Sequence, residues 1–146
     1  MKIIVAADQA GVELKKTLKA YLTELGYQPL DPNENGFANP VETAAEAAKM
    51  LEKNDADRAV VIDRYGAGSF MALNKYEHVI CAEVSDEHSA KMTRDHNNAN
   101  AIALGSGIVG EDLAKRIVKD FAEAEYSGGR HQIRVDMLYR MGKGGE

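Results

Sequence analysis

Short apolar runs alternate along the chain with longer stretches in which apolar residues recur every three or four positions. Lys2 to Ala7, Arg58 to Ile62, Val79 to Glu83 and Ala101 to Leu104 are brief and mostly apolar, the pattern of parallel strands buried on both faces. Tyr27 to Asp31 is a weaker fifth. Between them lie helical periods: Leu14, Leu18, Leu22 and Leu25 in the first, Ala44, Ala47, Ala48 and Leu51 in the second. Ser85-Asp86-Glu87 ahead of His88 to Arg94, and Gly110 ahead of Leu113, Ile117, Val118 and Phe121, read as two further helix starts. Strand then helix, repeated about five times, predicts an α/β chain: a three-layer Rossmann-like fold with a mainly parallel five-stranded sheet and right-handed crossovers. Pro32 to Pro40 is the one long polar connection.

Length and charge narrow the classes. At 146 residues the chain is predicted to form a single domain spanning 1–146. Lys and Arg number 18 against 23 Asp and Glu, a net charge of −5 with no separate basic stretch, which argues against nucleic acid as a partner. No apolar run approaches the ~20 residues that span a bilayer, so no membrane partner is expected. Asp8 ends the first apolar run too early for an export signal, and a cytoplasmic protein is expected. The single cysteine, Cys81, excludes an internal disulfide, and its apolar neighbours mark it as a core residue.

In open parallel sheets ligands bind beyond the carboxyl ends of the strands, where the winding reverses. Those ends carry Asp8-Gln9-Ala10-Gly11, Asp63-Arg64-Tyr65-Gly66-Ala67-Gly68-Ser69 and Gly105-Ser106-Gly107, three turns expected to converge on one rim. The Gly66-Ala67-Gly68-Ser69 backbone would suit an oxyanion or phosphate, or serve only its turn. Asp63 fits a base, a phosphoacceptor, or a turn cap.

Thr93-Arg94-Asp95-His96-Asn97-Asn98-Ala99-Asn100 packs polar groups densely ahead of a buried strand. An imidazole such as His96 moves protons in both directions near neutral pH, and Asn97 would orient a hydroxyl; the competing reading is a capped, solvated helix end. His78 and His88 are expected on the surface. Near the C-terminus, Ser127-Gly128-Gly129-Arg130-His131-Gln132-Ile133-Arg134 opens a last helix that places Arg130 and Arg134, four apart, on one face, with Ile133, Met137 and Met141 on another. Two forked guanidinium groups at a glycine-led helix start make a phosphate clamp, unless they are simply solvated. The four scattered histidines form no metal-ligand pattern, no cofactor is implied, and Gly66-Ala67-Gly68-Ser69-Phe70 is not a nucleophile elbow.

Asp8 after the first strand, Ile62-Asp63-x-x-Gly66-x-Gly68 after the third, His96-Asn97-Asn98-x-Asn100, and Gly128-Gly129-Arg130-His131-Gln132-x-Arg134-Val135 together resemble the type B ribose-5-phosphate isomerase and galactose-6-phosphate isomerase family. Asp63-x-x-Gly66-Ala67-Gly68-Ser69-Phe70-Met71 lies nearest the galactose-6-phosphate branch. The resemblance covers nearly the whole chain. It implies metal-free aldose-ketose isomerisation of a sugar phosphate through an enediol, in a site built by two facing subunits. It also implies that His96 is the ring-opening acid/base, Asn97 a substrate ligand, and Arg130 and Arg134 the phosphate clamp, with the C-terminal helix reaching the partner subunit.

The early elements depart from the family pattern. Asp8-Gln9 stands where the family has Asp-His, and Asp63 where the isomerases carry a Cys base; Cys81 lies on another strand. One half-site is altered and the other intact, which fits a heteromer whose second, B-type chain of galactose-6-phosphate isomerase supplies the Cys base and the anion hole. Three rival readings stay open: a homomeric isomerase with Asp63 as base, a receiver-like signalling domain, and a non-catalytic scaffold subunit. The receiver reading lacks the acidic pair after the first strand and the Lys after the fifth.

Overall fold

In a computed structural model describing residues 1–144, five strands form one wholly parallel sheet. They are β1 (Lys2–Ala7), β2 (Gln28–Leu30), β3 (Arg58–Asp63), β4 (Cys81–Glu83) and β5 (Ala101–Gly105), in the order β2-β1-β3-β5-β4. The strands are joined or followed by α1 (Val12–Glu24), α2 (Pro40–Glu52), α3 (Ala67–Leu73), α4 (Glu87–Asp95), α5 (Glu111–Glu123) and α6 (Gln132–Gly142). Alternation along the strands divides the core in two. Ile3, Val5, Val60, Ile62, Ile102 and Leu104 pack with α1, α4 and α5 on one face. The opposite face offers smaller groups, Ala6, Ala59, Ala101 and Ala103, so α2 seats its own Ala44, Ala47 and Ala48 close against the sheet. The predicted three-layer α/β architecture is present.

Differences at element ends have local causes. The strand expected over Tyr27 to Asp31 stops at Leu30 and includes Pro29, which has no N–H for a ladder and is confined to this edge position. The strand expected from Val79 begins at Cys81, because the Ile80 N–H is taken by the Asn100 side chain at 3.0 Å. The last helix begins at Gln132 rather than near Ser127, since Gly128 and Gly129 adopt φ of 62° and 56° and the chain passes through a 3₁₀ turn, Gly129–His131, first. Asp86 caps α4 by accepting from Ser89 N–H at 2.7 Å, and Gly110 precedes α5, both as the sequence indicates. His78 is half-buried rather than a surface residue: its Nε2 meets the Ala48 carbonyl at 2.7 Å.

The polar connection after β2 is held down by a buried lysine. Lys15 of α1 is fully enclosed, and its Nζ donates to the Asn33 and Glu34 carbonyls at 2.6 and 3.0 Å while pairing with Asp31 at 3.0 Å. Lys19 joins the same carboxylate at 2.8 Å. The connection then runs past the end of β1, where Phe37 N–H donates to the Ala7 carbonyl. At the amino end of β3 the buried Arg58 guanidinium donates to the Ala122 carbonyl at 2.7 Å, satisfying the end of α5. Among the described residues no helix is long and apolar enough to cross a membrane.

Candidate active site

The chain leaves β1 for one side of the sheet and returns to β3 on the other, so the winding reverses at the carboxyl ends of these two neighbours. Asp8 and Asp63 stand there. Ala7 pairs with Ile62, which sets the next residues, Asp8 and Asp63, side by side on the α2 and α3 face. Both are buried, at 9% and 6% exposure. Burial is the main reason that Asp8 holds its proton to higher pH than an ordinary carboxyl, and the charge of Asp63 adds to it; N–H bonds from Ala10 and Gly11 offset part. Asp63 Oδ1 and the Ser69 hydroxyl are buried without a hydrogen-bond partner.

Three turns do converge on this rim. Ser106 Oγ donates to the Ala10 carbonyl at 2.8 Å, and its N–H donates to the Asp63 carbonyl at 2.8 Å. Glycines allow the approach: a Cβ on Gly11 would lie 2.6 Å from the Ile62 carbonyl oxygen, and one on Gly68 would lie 2.9 Å from Pro40. The polar cluster of residues 93–100 is elsewhere. Helix α4 runs back against the strand direction, so His96 at its C-terminal cap and Asn97 lie by the amino ends of the strands. Asn100 bonds Ala59 at the start of the β3–β5 ladder, while Asp63 pairs with Gly105 at its finish. Four strand residues, about 13 Å, separate those levels.

His96 is half-buried and Asn97 exposed. The His96 ring stacks on His131, with centroids 4.2 Å apart and 13° between planes. That contact brings in the exposed Arg130 and Arg134. They do not share one regular helix face as expected: Arg130 lies in the 3₁₀ turn and Arg134 in α6, a difference forced by the left-handed glycines before them. The His131 proton is held less tightly than an ordinary imidazole proton, first through loss of hydration, then through His96, Arg130 and Arg134, with Asp95 opposing. Three of the four expected site residues, with their neighbours, thus converge through this stack, and Asn97 follows His96 directly.

Cys81 sits at the opposite end of its strand from the Asp63 rim and is buried; burial pushes its thiol well above the ordinary range, and nearby Glu83 adds to this. It is unsuited to work as a thiolate base. Helix α6 buries only Val135, and leaves Ile133 and Met141 at 70% and 63% exposure.

The sequence matches the Ribose/Galactose Isomerase family over residues 3–138. The chain belongs to the ribose/galactose isomerase family. Similar proteins of this family include the galactose-6-phosphate isomerase subunit LacA of Clostridium acetobutylicum, 52% identical over 97% of this chain and 99% of that protein. The subunit LacA of Streptococcus mutans is 51% identical with the same coverage. Among solved structures, the ribose-5-phosphate isomerase B of Clostridium thermocellum superposes with a TM-score of 0.94 at 34% identity, covering 99% of each chain. That of Mycoplasma genitalium with bound ribulose-5-phosphate reaches 0.90 at 34% identity, over 97% of this chain and 96% of that one.

Within this family fold, the geometry brings forward two residues that sequence reasoning passes over. His131 stands in the sequence within the Gly128–Val135 motif but is given no role there, and its stacking needs the turn at Gly128. Ser127 carries no signal beyond preceding two glycines; its N–H and Oγ both donate to the Asp95 carbonyl at 3.0 Å.

Proposed function

We propose that the chain is one subunit of a heteromeric aldose-ketose isomerase that interconverts D-galactose 6-phosphate and D-tagatose 6-phosphate through an enediol, in the tagatose 6-phosphate route of galactose and lactose breakdown. The observation that carries this reading is the separation of the two half-sites. His96, Arg130 and Arg134 stand at one end of the sheet, the Asp8–Asp63 rim at the other, and one chain does not close them on one sugar phosphate. A facing chain must supply what the His96 end lacks. In this reading His96 moves the proton at the ring oxygen, Asn97 holds a hydroxyl, and Arg130 and Arg134 grip the phosphate. The second, B-type chain of galactose-6-phosphate isomerase supplies the Cys base and the anion hole. The subunit wording in the names of the similar LacA proteins supports a partner. The apolar face of α6, with Ile133 and Met141 open, suits docking against that partner, and the whole chain works as one cytoplasmic domain.

Activity of the purified chain, alone and co-expressed with a B-type partner, tests the reading. The chain alone is expected to be inactive or nearly so on galactose 6-phosphate, with turnover appearing on co-expression. Full turnover by the isolated chain would instead support a homomeric isomerase with Asp63 as base, the second reading, which the buried, unpartnered Asp63 Oδ1 favours.

A further inference from the structure

Helix α6 carries Arg134 and follows Arg130, yet little apolar packing fixes its direction. Only Val135 among its residues is buried, and its Leu138 and Met141 line a cavity of about 510 Å³ shared with Asn97 and Cys81 rather than filling it. The segment before it turns on two glycines: Gly128 at φ 62° and ψ −128° and Gly129 at φ 56° occupy backbone conformations that glycine visits freely. Tyr139 beside Asn98 and Gly142 against Glu77 seat the later turns of α6, so the segment leading into the helix needs its own anchor to set the two arginines relative to His96.

The contact that does so spans 32 residues of sequence. Ser127 N–H and Ser127 Oγ both donate to the Asp95 carbonyl at 3.0 Å, and Asp95 is the residue directly before His96. Asp95 ends α4, where carbonyls have no partner within the helix, so the clasp also satisfies an otherwise open acceptor. Across the two glycines, the Tyr126 hydroxyl donates to Gln132 Oε1 at 2.9 Å, and Gln132 Nε2 donates to Asp136 at 2.7 Å, which ties the segment to the first turn of α6. His131 then lies stacked on His96.

We infer that Ser127 is a positioning residue for the isomerase reaction: its clasp on the Asp95 carbonyl fixes the spacing between the His96 imidazole and the Arg130–Arg134 pair, so that phosphate held by one places the sugar ring oxygen at the other. This rests on the roles given above to His96 and the arginines. Ser127 itself touches no substrate. Orientation of this kind acts on the rate of the chemical step, because a small displacement of a catalytic group removes much of its benefit while binding persists.

The test is steady-state kinetics on the complex of this chain with its B-type partner. Ser127→Ala keeps the backbone bond and loses the hydroxyl bond; it is expected to lower kcat about three- to tenfold, the worth of one hydrogen bond, with KM for the sugar phosphate and inhibition by inorganic phosphate within about twofold of the parent. Ser127→Thr, which keeps the hydroxyl, is expected to restore kcat. In a His96→Ala background Ser127→Ala should have no further effect, because it acts through that imidazole. A fall in kcat that is equal with and without His96, or no fall at all, overturns the inference. If His96→Ala itself leaves kcat unchanged in the parent complex, the failure lies in the His96 assignment instead. Should Ser127→Ala impair assembly, the isolated chain decides by NMR: the substitution is expected to shift the His96 ring protons by loss of the His131 ring current, and unchanged resonances overturn the clasp.

Discussion

The imidazole of His131 lies stacked on that of His96, with centroids 4.2 Å apart and planes 13° from parallel. This relationship joins two segments that are far apart in sequence: the cap of α4 and the turn that carries Arg130. It also brings two titratable rings into contact beside two guanidinium groups. Loss of hydration first, then His96, Arg130 and Arg134, loosens the His131 proton, with Asp95 opposing. The stack gives His96 a flat surface against which it is oriented.

The titration of His131 follows from this. Its folded-state pKa is lowered, so between that value and about 6.5 the unfolded chain binds more protons, and stability rises with pH through that window. In an NMR titration the His131 ring proton should show a midpoint below 6.5. In His96→Ala the midpoint should move up, though not fully, because the loss of hydration and the charges of Arg130 and Arg134 remain. A midpoint that ignores His96 would mean the rings do not stack in solution.

Arg130 and Arg134 are both exposed and free of carboxylate partners among the described residues, which leaves their forked donors open to an anion. In the assembled isomerase each Arg→Ala should weaken binding of the sugar phosphate by about 1.5 to 3 kcal/mol, the worth of a charge-assisted hydrogen bond. Affinity for the unphosphorylated sugar should stay level. Calorimetry with both ligands separates a phosphate clamp from a general loss of structure, which would lower both affinities.

How far the sequence reveals this molecule depends on whether a feature is local. β1 and β3 announce themselves as apolar runs, and the starts of α4 and α5 as Asp86 and Gly110, because strand burial and capping are written in neighbouring residues. The convergence of the Asp8, Asp63 and Ser106 turns is also readable, since parallel strands send successive carboxyl ends to one rim. That His96 stands at the other end of the sheet follows equally from helix α4 running back, yet the level of each residue needs the β3–β5 register. The Ser127 clasp and the His131 stack are not legible. Both depend on the backbone angles at Gly128 and Gly129, which composition permits without dictating.

Acid sensitivity should centre on Asp31. Burial raises its pKa, but hydrogen bonds from Lys19, Lys15 and Asn33 outweigh burial and hold it below the usual carboxylate value of 3.8. A depressed carboxylate contributes stability that is complete above the unfolded value and is lost as pH falls through the folded one, so the loss should set in below about pH 4. Asp31→Asn should flatten that limb of the pH–stability curve. It should also cost about 3 kcal/mol at neutral pH, because Lys15, fully buried, loses its charge partner and keeps only two carbonyls. Urea melts from about pH 3 to 7 measure both effects; a variant parallel to the parent across that range would remove Asp31 as the cause.

A hexose 6-phosphate exists mostly as a closed ring, and only the open chain presents a carbonyl beside an abstractable proton, so a group must move protons between the ring oxygen and the anomeric hydroxyl. His96 is half-buried at the cap of α4, directly before Asn97 and in contact with the Arg130 segment through His131. Of the four histidines, His78 is engaged by the Ala48 carbonyl and His88 lies on the exposed face of α4, while His131 stands behind the stack. General acid/base help is worth about 10² to 10⁴ in rate, so His96→Ala in the assembled complex should lower turnover by that order and leave phosphate affinity largely intact. An open-chain substrate mimic that cannot cyclise should recover much of the loss, since it enters after the ring-opening step proposed for His96. Equal losses on cyclic and acyclic substrates would place His96 in the enediol step or in holding its loop, and ring opening would then need another group.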